Sequence, residues 1–163
     1  MKQLIKNNKS GKISVEEVPS PRCSTGHLIV KNLYSAISIG TEISSIEIAK
    51  KNLLDKAKSR PDDLKKVMKS IKENGVLDTY FKVMDRLSLP TPLGYSSVGK
   101  VVDKSIEIKD ISIGDIVACG GSGHAEMIKV PRNLCVRVPD GTDLKSASLA
   151  TIASISLQGI RQS

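Results

Sequence analysis

Apolar and polar residues alternate over the first 40 or so residues in the manner of short β-strands. Two such runs, residues 3–7 and 12–18, are separated by the turn-rich segment 7–11 (NNKSG), which predicts a β-hairpin. The Pro-Ser-Pro sequence at 19–21 then requires an extended, non-helical backbone. A third run at 27–38 has apolar residues in a β-prone setting and predicts a longer strand.

The apolar period changes between residues 43 and 88, where a helical insertion is predicted. Within it, apolar residues recur at the i, i+3, i+4, i+7 spacing of one helix face: Leu64, Val67, Met68 and Ile71. Pro61 suits the first position of that helix, and Asn74-Gly75 suits its end. Apolar residues from Val76 to Leu87 predict a second helix that Pro90 ends. An earlier helix is expected over about 43–58.

Strand-like sequence returns after Pro92. Runs with Gly and β-branched residues lie at 97–102, 113–118, 125–130 and 134–138, with turn residues between them. Beyond Gly141 the sequence becomes Ala-rich and helical, and residues 153–163 read as the start of a further helix. The whole pattern predicts a mainly β protein with helices, of the α+β class.

Composition agrees with a soluble globular chain. Of its 163 residues, 39% are apolar and 26% charged, and because aromatics make up only 2% the core is expected to be aliphatic. The net charge is +8, and the lysines are interleaved with acidic residues along the chain. The sequence has neither a nucleic-acid recognition motif nor a set of aromatic residues for stacking on bases, so nucleic-acid binding is not expected.

The three cysteines, Cys23, Cys119 and Cys135, are odd in number and far apart in sequence. They argue against a disulfide framework and favour a reducing compartment. The N-terminus lacks the apolar region of a signal peptide, and no stretch is long enough to span a membrane. We therefore expect a cytoplasmic protein that does not contact membranes.

Five short motifs occur in a fixed order along the chain. They are residues 40–42 (GTE), 92–102 (PLGYSSVGKVV), 114–117 (GDIV), 123–131 (GHAEMIKVP) and 138–141 (VPDG). This succession resembles the N-terminal GroES-like domain of the medium-chain dehydrogenase/reductase family, the relatives of zinc-type alcohol dehydrogenases. The insertion and the Gly94-Tyr95-Ser96 variant resemble most a bacterial and archaeal subgroup of two-part oxidoreductases, whose second half is glucose–fructose-oxidoreductase-like.

The resemblance implies a partly open β-barrel at 1–150 and a lead-in helix at 151–163, directed toward a nucleotide-binding Rossmann domain. It implies bound NAD or NADP in a longer parent protein, whereas no cofactor is expected on this chain alone, which shows no Gly-x-Gly-x-x-Gly sequence. The expected ligand is a small-molecule substrate, and oligomerisation is possible. The Gly-rich segment 120–123 is expected to be a flexible hairpin loop rather than a phosphate loop.

The positions that carry the catalytic zinc ligands in the family hold Ile39, Tyr95 and, less securely, Ile152. A branched hydrocarbon side chain cannot bind zinc, so no metal site is expected. His27 and His124 lie on separate predicted elements, and we expect them to be surface or hydrogen-bonded residues instead.

Four residues remain as candidates for chemistry. Thr41 matches the family's relay hydroxyl, and Tyr95 offers a phenol as a proton donor. Ser38 and Ser96 are candidates for hydrogen bonds to a substrate oxygen. Structural roles are open as well, because Thr41 could cap the next helix and Tyr95 could pack where the metal lies in relatives.

Two classes of function follow from these observations. In the first, the chain is the substrate-side domain of a zinc-independent NAD(P)-dependent oxidoreductase, and its expected substrates are sugars or sugar derivatives in polysaccharide biosynthesis. In the second, it is a catalytically inactive scaffold that docks an acidic partner through the lysine-rich helices of residues 49–82.

Overall fold

A computed structural model of the chain describes residues 1–50, 55 and 61–163. This part contains eight strands and five α-helices, which confirms the predicted α+β class. The strands are β1 (Lys2–Asn7), β2 (Ile13–Glu17), β3 (His27–Ala36), β4 (Pro90–Pro92), β5 (Ser96–Lys104), β6 (Ile116–Gly120), β7 (Met127–Pro131) and β8 (Cys135–Arg137). The helices are α1 (Ile39–Lys50), α2 (Pro61–Asn74), α3 (Val76–Ser88), α4 (Leu144–Ala147) and α5 (Ala150–Gln162).

The larger sheet has five antiparallel strands in the order β7-β3-β5-β6-β8. β3 is its longest strand and pairs with β5 from Leu28↔Lys104 to Ala36↔Ser96. A smaller sheet has the order β2-β1-β4, in which the predicted hairpin supplies the neighbours β2 and β1. In the described part of the chain neither sheet closes into a barrel, so β7 and β8 are edge strands of the larger one.

An aliphatic core lies on one face of the larger sheet. Strand alternation brings side chains of β3, β5, β6 and β7 to this face, where each fully buried Val or Leu contributes about 1.5–3 kcal/mol. The cluster contains Leu28, Val30, Val101, Ile108, Ile111, Val117, Cys119, Ile128, Val130 and Cys135. It holds no aromatic ring, as the composition predicts.

The chain divides into two compact units. The first comprises residues 1–4, 15–38 and 92–163 and contains the larger sheet, whereas the second comprises 5–14 and 39–91. In the second unit Lys6 donates a hydrogen bond through Nζ to the carbonyl oxygen of Ser45 (3.2 Å). Gly11 has φ 71°, and a Cβ there would lie 2.9 Å from the carbonyl oxygen of Ile46, so the hairpin turn packs directly on α1.

The helical periodicity of the insertion is confirmed in α2 and α3. Gly75, at φ 84°, separates the two helices at the predicted stop. Thr79 is buried and hydrogen-bonds Ser70 (3.0 Å), which ties α3 to α2. The continuation of the first helix to residue 58 lies outside the described residues. Among those described, no helix combines the length and apolar character that crossing a bilayer requires.

Several predicted boundaries are wrong. The first helix begins at Ile39, four residues before the expected start of the insertion, and Thr41 is therefore inside its first turn instead of capping it. β6 begins at Ile116, because Gly114 adopts φ 98° in the preceding turn. β7 begins at Met127, since Ala125 forms a separate bridge with Gln3.

Candidate functional site

The backbone around Tyr95 is held in place by the loop that follows β6. Gly94 has φ 109°, and a Cβ at this position would lie only 2.7 Å from the backbone nitrogen of His124. His124 N–H donates to the carbonyl oxygen of Leu93 (2.7 Å), and Gly121 N–H donates to that of Tyr95 (2.8 Å). A glycine is therefore required at 94, and the position of Tyr95 is set by two backbone hydrogen bonds to the loop after β6.

The hydroxyl group of Tyr95 is buried without a partner among the described residues. A buried hydroxyl without a hydrogen bond costs about 1–3 kcal/mol, and for this reason most such groups find a partner. A partner from outside the described chain, such as a ligand oxygen, would satisfy it. The orphaned oxygen makes Tyr95 the candidate whose surroundings most favour a role in binding.

Ser96 has a different environment. It is 1% exposed, and its Oγ donates a hydrogen bond to the carbonyl oxygen of Ser148 (2.6 Å). In the sheet it lies between Ala36 of β3 and Gly120 of β6. The single hydroxyl proton is thus used to fasten the turn between α4 and α5 to β5. Its role in substrate binding stays a prediction that would require this bond to be exchanged.

Ser38 and Thr41 lie in different units of the chain. Ser38 is half-buried, two residues beyond the end of β3, in the same unit as Tyr95. Thr41 is exposed on α1 and belongs to the second unit. Substrate binding by Ser38 and proton relay by Thr41 both stay predictions.

The positions aligned with zinc ligands do not suit zinc. Ile39 is the first residue of α1 and is 70% exposed, and Ile152 lies on α5 with 40% exposed. Neither side chain has a donor atom, so only the phenol of Tyr95 is available from the three positions. Within the described ranges no three His, Cys, Asp or Glu side chains lie close enough to hold a metal ion.

Both histidine rings are hydrogen-bonded, as expected. Nδ1 of His27 lies 2.7 Å from the carbonyl oxygen of Thr25. Nδ1 of His124 lies 2.7 Å from Oγ of Ser35, and this pair was not predicted because 89 positions separate the two residues in sequence. Register explains the contact: residues 124–126 run beside β1 and β3, where Glu126 accepts a hydrogen bond from Asn32 N–H (2.9 Å).

Ser35 and His124 line a shallow groove of about 320 Å³ in the first unit. The buried Oδ1 of Asn32 also belongs to this groove and has no partner within the described part of the chain. Apolar side chains from β1, β2 and β3 complete the lining with Leu4, Val15 and Leu33. The groove is a second surface with an unsatisfied polar atom, and nothing in the sequence pattern pointed to it.

The Gly-rich segment 120–123 is not a hairpin loop, because β6 and β7 are not neighbours in the sheet. Its Ser122 is 3% exposed and hydrogen-bonds both Ser97 Oγ (2.7 Å) and the carbonyl oxygen of Cys119 (3.3 Å). The prediction of a hairpin was therefore wrong. The glycines of this segment surround the buried serine Ser122.

Comparison with known proteins identifies the fold. No protein-family model and no curated protein sequence matches the chain. Solved structures do match it: 2R,3R-butanediol dehydrogenase from Bacillus subtilis has a TM-score of 0.65 at 14% identity, with 99% of this chain and 47% of that chain covered. Alcohol dehydrogenase TADH from Thermus sp. ATN1 has a TM-score of 0.59 at 17% identity, covering 92% and 43%.

A third match is mycobacterial Rv1454c, solved in complex with NADPH, with a TM-score of 0.59 at 16% identity. The match covers 91% of this chain and 37% of that one, so the chain spans less than half the length of these solved structures. At such identities the similarity concerns the fold. The chain has the GroES-like fold found in structures of the alcohol dehydrogenase superfamily.

Proposed function

We propose that this chain is the substrate-side domain of a zinc-independent, NAD(P)-dependent oxidoreductase of the medium-chain dehydrogenase/reductase family, and that Tyr95 donates the proton at the substrate oxygen. The observation that carries the proposal is the buried hydroxyl of Tyr95, which has no hydrogen-bond partner among the described residues. It lies in a fold shared with a butanediol dehydrogenase, with a quinone oxidoreductase that was solved with NADPH, and with mycobacterial Rv1454c, also solved with NADPH.

The chemistry follows from what carbonyl reduction requires. A hydride must reach the carbonyl carbon and a proton must reach the oxygen. A nicotinamide supplies the hydride when bound, and it would be held by a nucleotide-binding domain outside this chain. Tyr95 hydrogen-bonds the carbonyl oxygen, polarises the bond, and transfers its proton as negative charge develops there. A neutral O–H donor replaces the Lewis acid that zinc provides in relatives.

The local architecture supports this role. The backbone hydrogen bonds that fix residues 93–95 against 121–124 restrict where the ring lies, which reduces the entropy cost of aligning it with a substrate. We extend the proposal to sugars or sugar derivatives, in line with the resemblance to two-part oxidoreductases. Hydroxyl-rich substrates would be met by Ser38, which belongs to the same unit as Tyr95.

The test uses the full-length protein that contains this chain, assayed with NADH and NADPH against a panel of aldoses, ketoses and their nucleotide derivatives. Tyr95→Phe should lower kcat by about 10²- to 10⁴-fold, the usual contribution of a general acid. Binding of NADPH should be unchanged. Tyr34→Phe is the matched control, because Tyr34 is 42% exposed on β3 and should behave as wild type.

The opposing result is an active enzyme in which Tyr95→Phe retains full kcat, which would remove the proton-donor role. A full-length protein that neither binds a nicotinamide nor turns over any substrate would favour the scaffold instead. In that case the lysine-rich helices would carry the function. Their charge is partly offset locally, since Lys65 and Lys69 of α2 pair with Asp62 and Glu73 at 3.8 Å.

A further inference from the structure

Two of the three cysteines, distant in sequence, are in contact. Sγ of Cys119 on β6 and Sγ of Cys135 on β8 are 3.9 Å apart, and both thiols are free. They are 2% and 7% exposed and belong to the same core cluster. The third cysteine, Cys23, lies in the loop before β3 and is half-buried.

The strand register places the two thiols directly opposite each other. Cys119 is paired with Cys135, and three positions away Ile116 accepts a hydrogen bond from Val138 N–H (2.9 Å). Because hydrogen-bonded and non-hydrogen-bonded pairs alternate along an antiparallel ladder, the cysteine pair falls on a non-hydrogen-bonded site. At such sites the two side chains lie on the same face of the sheet, and the Cα atoms are about 4.5 Å apart. This Cα–Cα distance lies within the range found in disulfides.

The pair is also chemically asymmetric. The hydrogen bond shared by the sulfur atoms of Cys119 and Cys135, together with the positive charge of Arg132, holds the pKa of Cys135 below its ordinary value. The same interaction and burial raise the pKa of Cys119. Arg132 is fixed in position, because its guanidinium donates to the carbonyl oxygen of Cys135 (2.7 Å) and pairs with Asp110. Cys135 lies on the edge strand β8 and is the more exposed of the two thiols, which makes it the nucleophile of the pair and Cys119 the resolving thiol.

Access to the pair is through an edge of the sheet. β8 has three residues and pairs only with β6 in the described part of the chain. Short edge strands open locally at a lower free-energy cost than the whole domain unfolds, and local opening of β8 would expose Cys135. After oxidation, a disulfide between Cys119 and Cys135 would attach β8 covalently to β6. The segment leading from β8 into α4 and α5 would then be anchored at its start.

We propose that Cys119 and Cys135 form a reversible redox site that closes as an intramolecular disulfide when the chain meets a small-molecule disulfide such as oxidised glutathione. The Cys135 thiolate attacks one sulfur of the oxidant, whose S–S bond breaks and releases one thiol. The Cys119 thiolate then attacks the mixed disulfide at Cys135 and displaces the second thiol. Two protein thiols lose two electrons, and the oxidant is reduced to two thiols.

The experiment exposes the full chain to glutathione buffers of increasing oxidised fraction, followed by acid quenching, alkylation and mass spectrometry. Two of the three thiols should become unavailable to alkylation together, while Cys23 stays reactive. Because Lys129 and Arg132 lie between the two cysteines, trypsin separates them unless a disulfide links the peptides. Dithiothreitol should restore all three thiols, and the oxidised form should unfold at higher urea than the reduced form.

Cys23→Ala is the matched control and should form the same disulfide, because it leaves the pair and the core intact. Cys119→Ala should stop at a mixed disulfide with glutathione on Cys135. Three alkylatable thiols in wild type at the most oxidising buffer would overturn the proposal. Glutathionylation confined to Cys23 would overturn it as well.

Discussion

Oγ of Ser96 donates a hydrogen bond to the carbonyl oxygen of Ser148 over 2.6 Å, joining β5 to the turn between α4 and α5 across 52 positions of sequence. Ser148 in turn donates its own hydroxyl to the carbonyl oxygen of Lys145 (2.7 Å). The short helix α4 is thus fastened to the sheet by a chain of two serine hydroxyls. Ser96 therefore has a structural task, and its role in substrate binding stays a prediction.

Ser96→Ala should therefore destabilise the chain. Removal of the hydroxyl leaves a buried carbonyl oxygen without this donor, at a cost of about 1–3 kcal/mol in the free energy of unfolding. Urea unfolding followed by circular dichroism measures the loss, with the exposed Ser20→Ala as control. Unchanged stability together with reduced turnover in the full-length enzyme would instead return Ser96 to the substrate-binding role.

Gly94→Ala should be more costly than an ordinary glycine substitution. Alanine disfavours φ 109°, and its Cβ would lie 2.7 Å from His124 N. We expect a loss of more than about 2 kcal/mol, from the unfavourable backbone and the steric overlap together. Gly26→Ala isolates the first contribution, because Gly26 has φ 71° and nothing within 4 Å of a Cβ. Equal losses in the two variants would mean that the close approach to His124 costs nothing.

Tyr95→Phe should leave the folded chain as stable as wild type, or more stable by up to about 1 kcal/mol, because it removes a buried hydroxyl that has no partner in the described part of the chain. Thermal and urea unfolding of the chain measure this directly. The combination of retained stability and reduced turnover would separate a role in catalysis from one in packing. A destabilisation above about 1 kcal/mol would reveal a structural partner for the hydroxyl.

Asp143 should make the stability of the chain depend on acid pH. Its carboxylate caps α4 by accepting hydrogen bonds from the hydroxyl group and the backbone N–H of Ser146. These two bonds, the one from the hydroxyl being the stronger cause, hold the pKa of Asp143 below its ordinary value of 3.8. A carboxyl group with a lowered native pKa stabilises the fold above its unfolded pKa, and this contribution disappears as pH falls through the native value.

Wild type should therefore exceed Asp143→Ala in free energy of unfolding at neutral pH, and this difference should disappear at a pH of about 2. Asp143→Asn is the control, since asparagine also caps helices but does not titrate. Urea midpoints of the three proteins at both pH values test the prediction. A wild-type advantage over Asp143→Ala that is the same at both pH values would contradict it.

The elements that could be predicted from sequence are those governed by short-range order. The i, i+3, i+4, i+7 spacing from Leu64 to Ile71 identified α2, and Asn74-Gly75 identified its end, because side chains three and four apart share a helix face. The turn-rich segment 7–11 identified the hairpin of β1 and β2 for the same local reason. Helix α1 was placed late, since the glycine and threonine before Glu42 have weak helix propensity.

The candidate site was predictable only in part. Motif order pointed to Gly94 and Tyr95. The structure finds a glycine at φ 109° and a buried hydroxyl without a partner among the described residues. The sequence did not predict three contacts: the hydrogen bond of Ser96 to Ser148, the hydrogen bond between Ser35 and His124, and the pairing of Cys119 with Cys135. Each depends on how distant segments of the chain pack against one another, and no local pattern records that choice.

The sequence by itself determined the α+β class, the aliphatic core, the helical insertion and the lack of donor atoms at Ile39 and Ile152, because these follow from side-chain type and period. Only the tertiary structure decided which hydroxyls and thiols are satisfied by distant partners. Strand order β7-β3-β5-β6-β8 brings residues 16 to 89 positions apart within bonding distance. Hydrogen bonds and thiol contacts act over a few ångströms, so the availability of a group is set by the packing and not by its place in the chain.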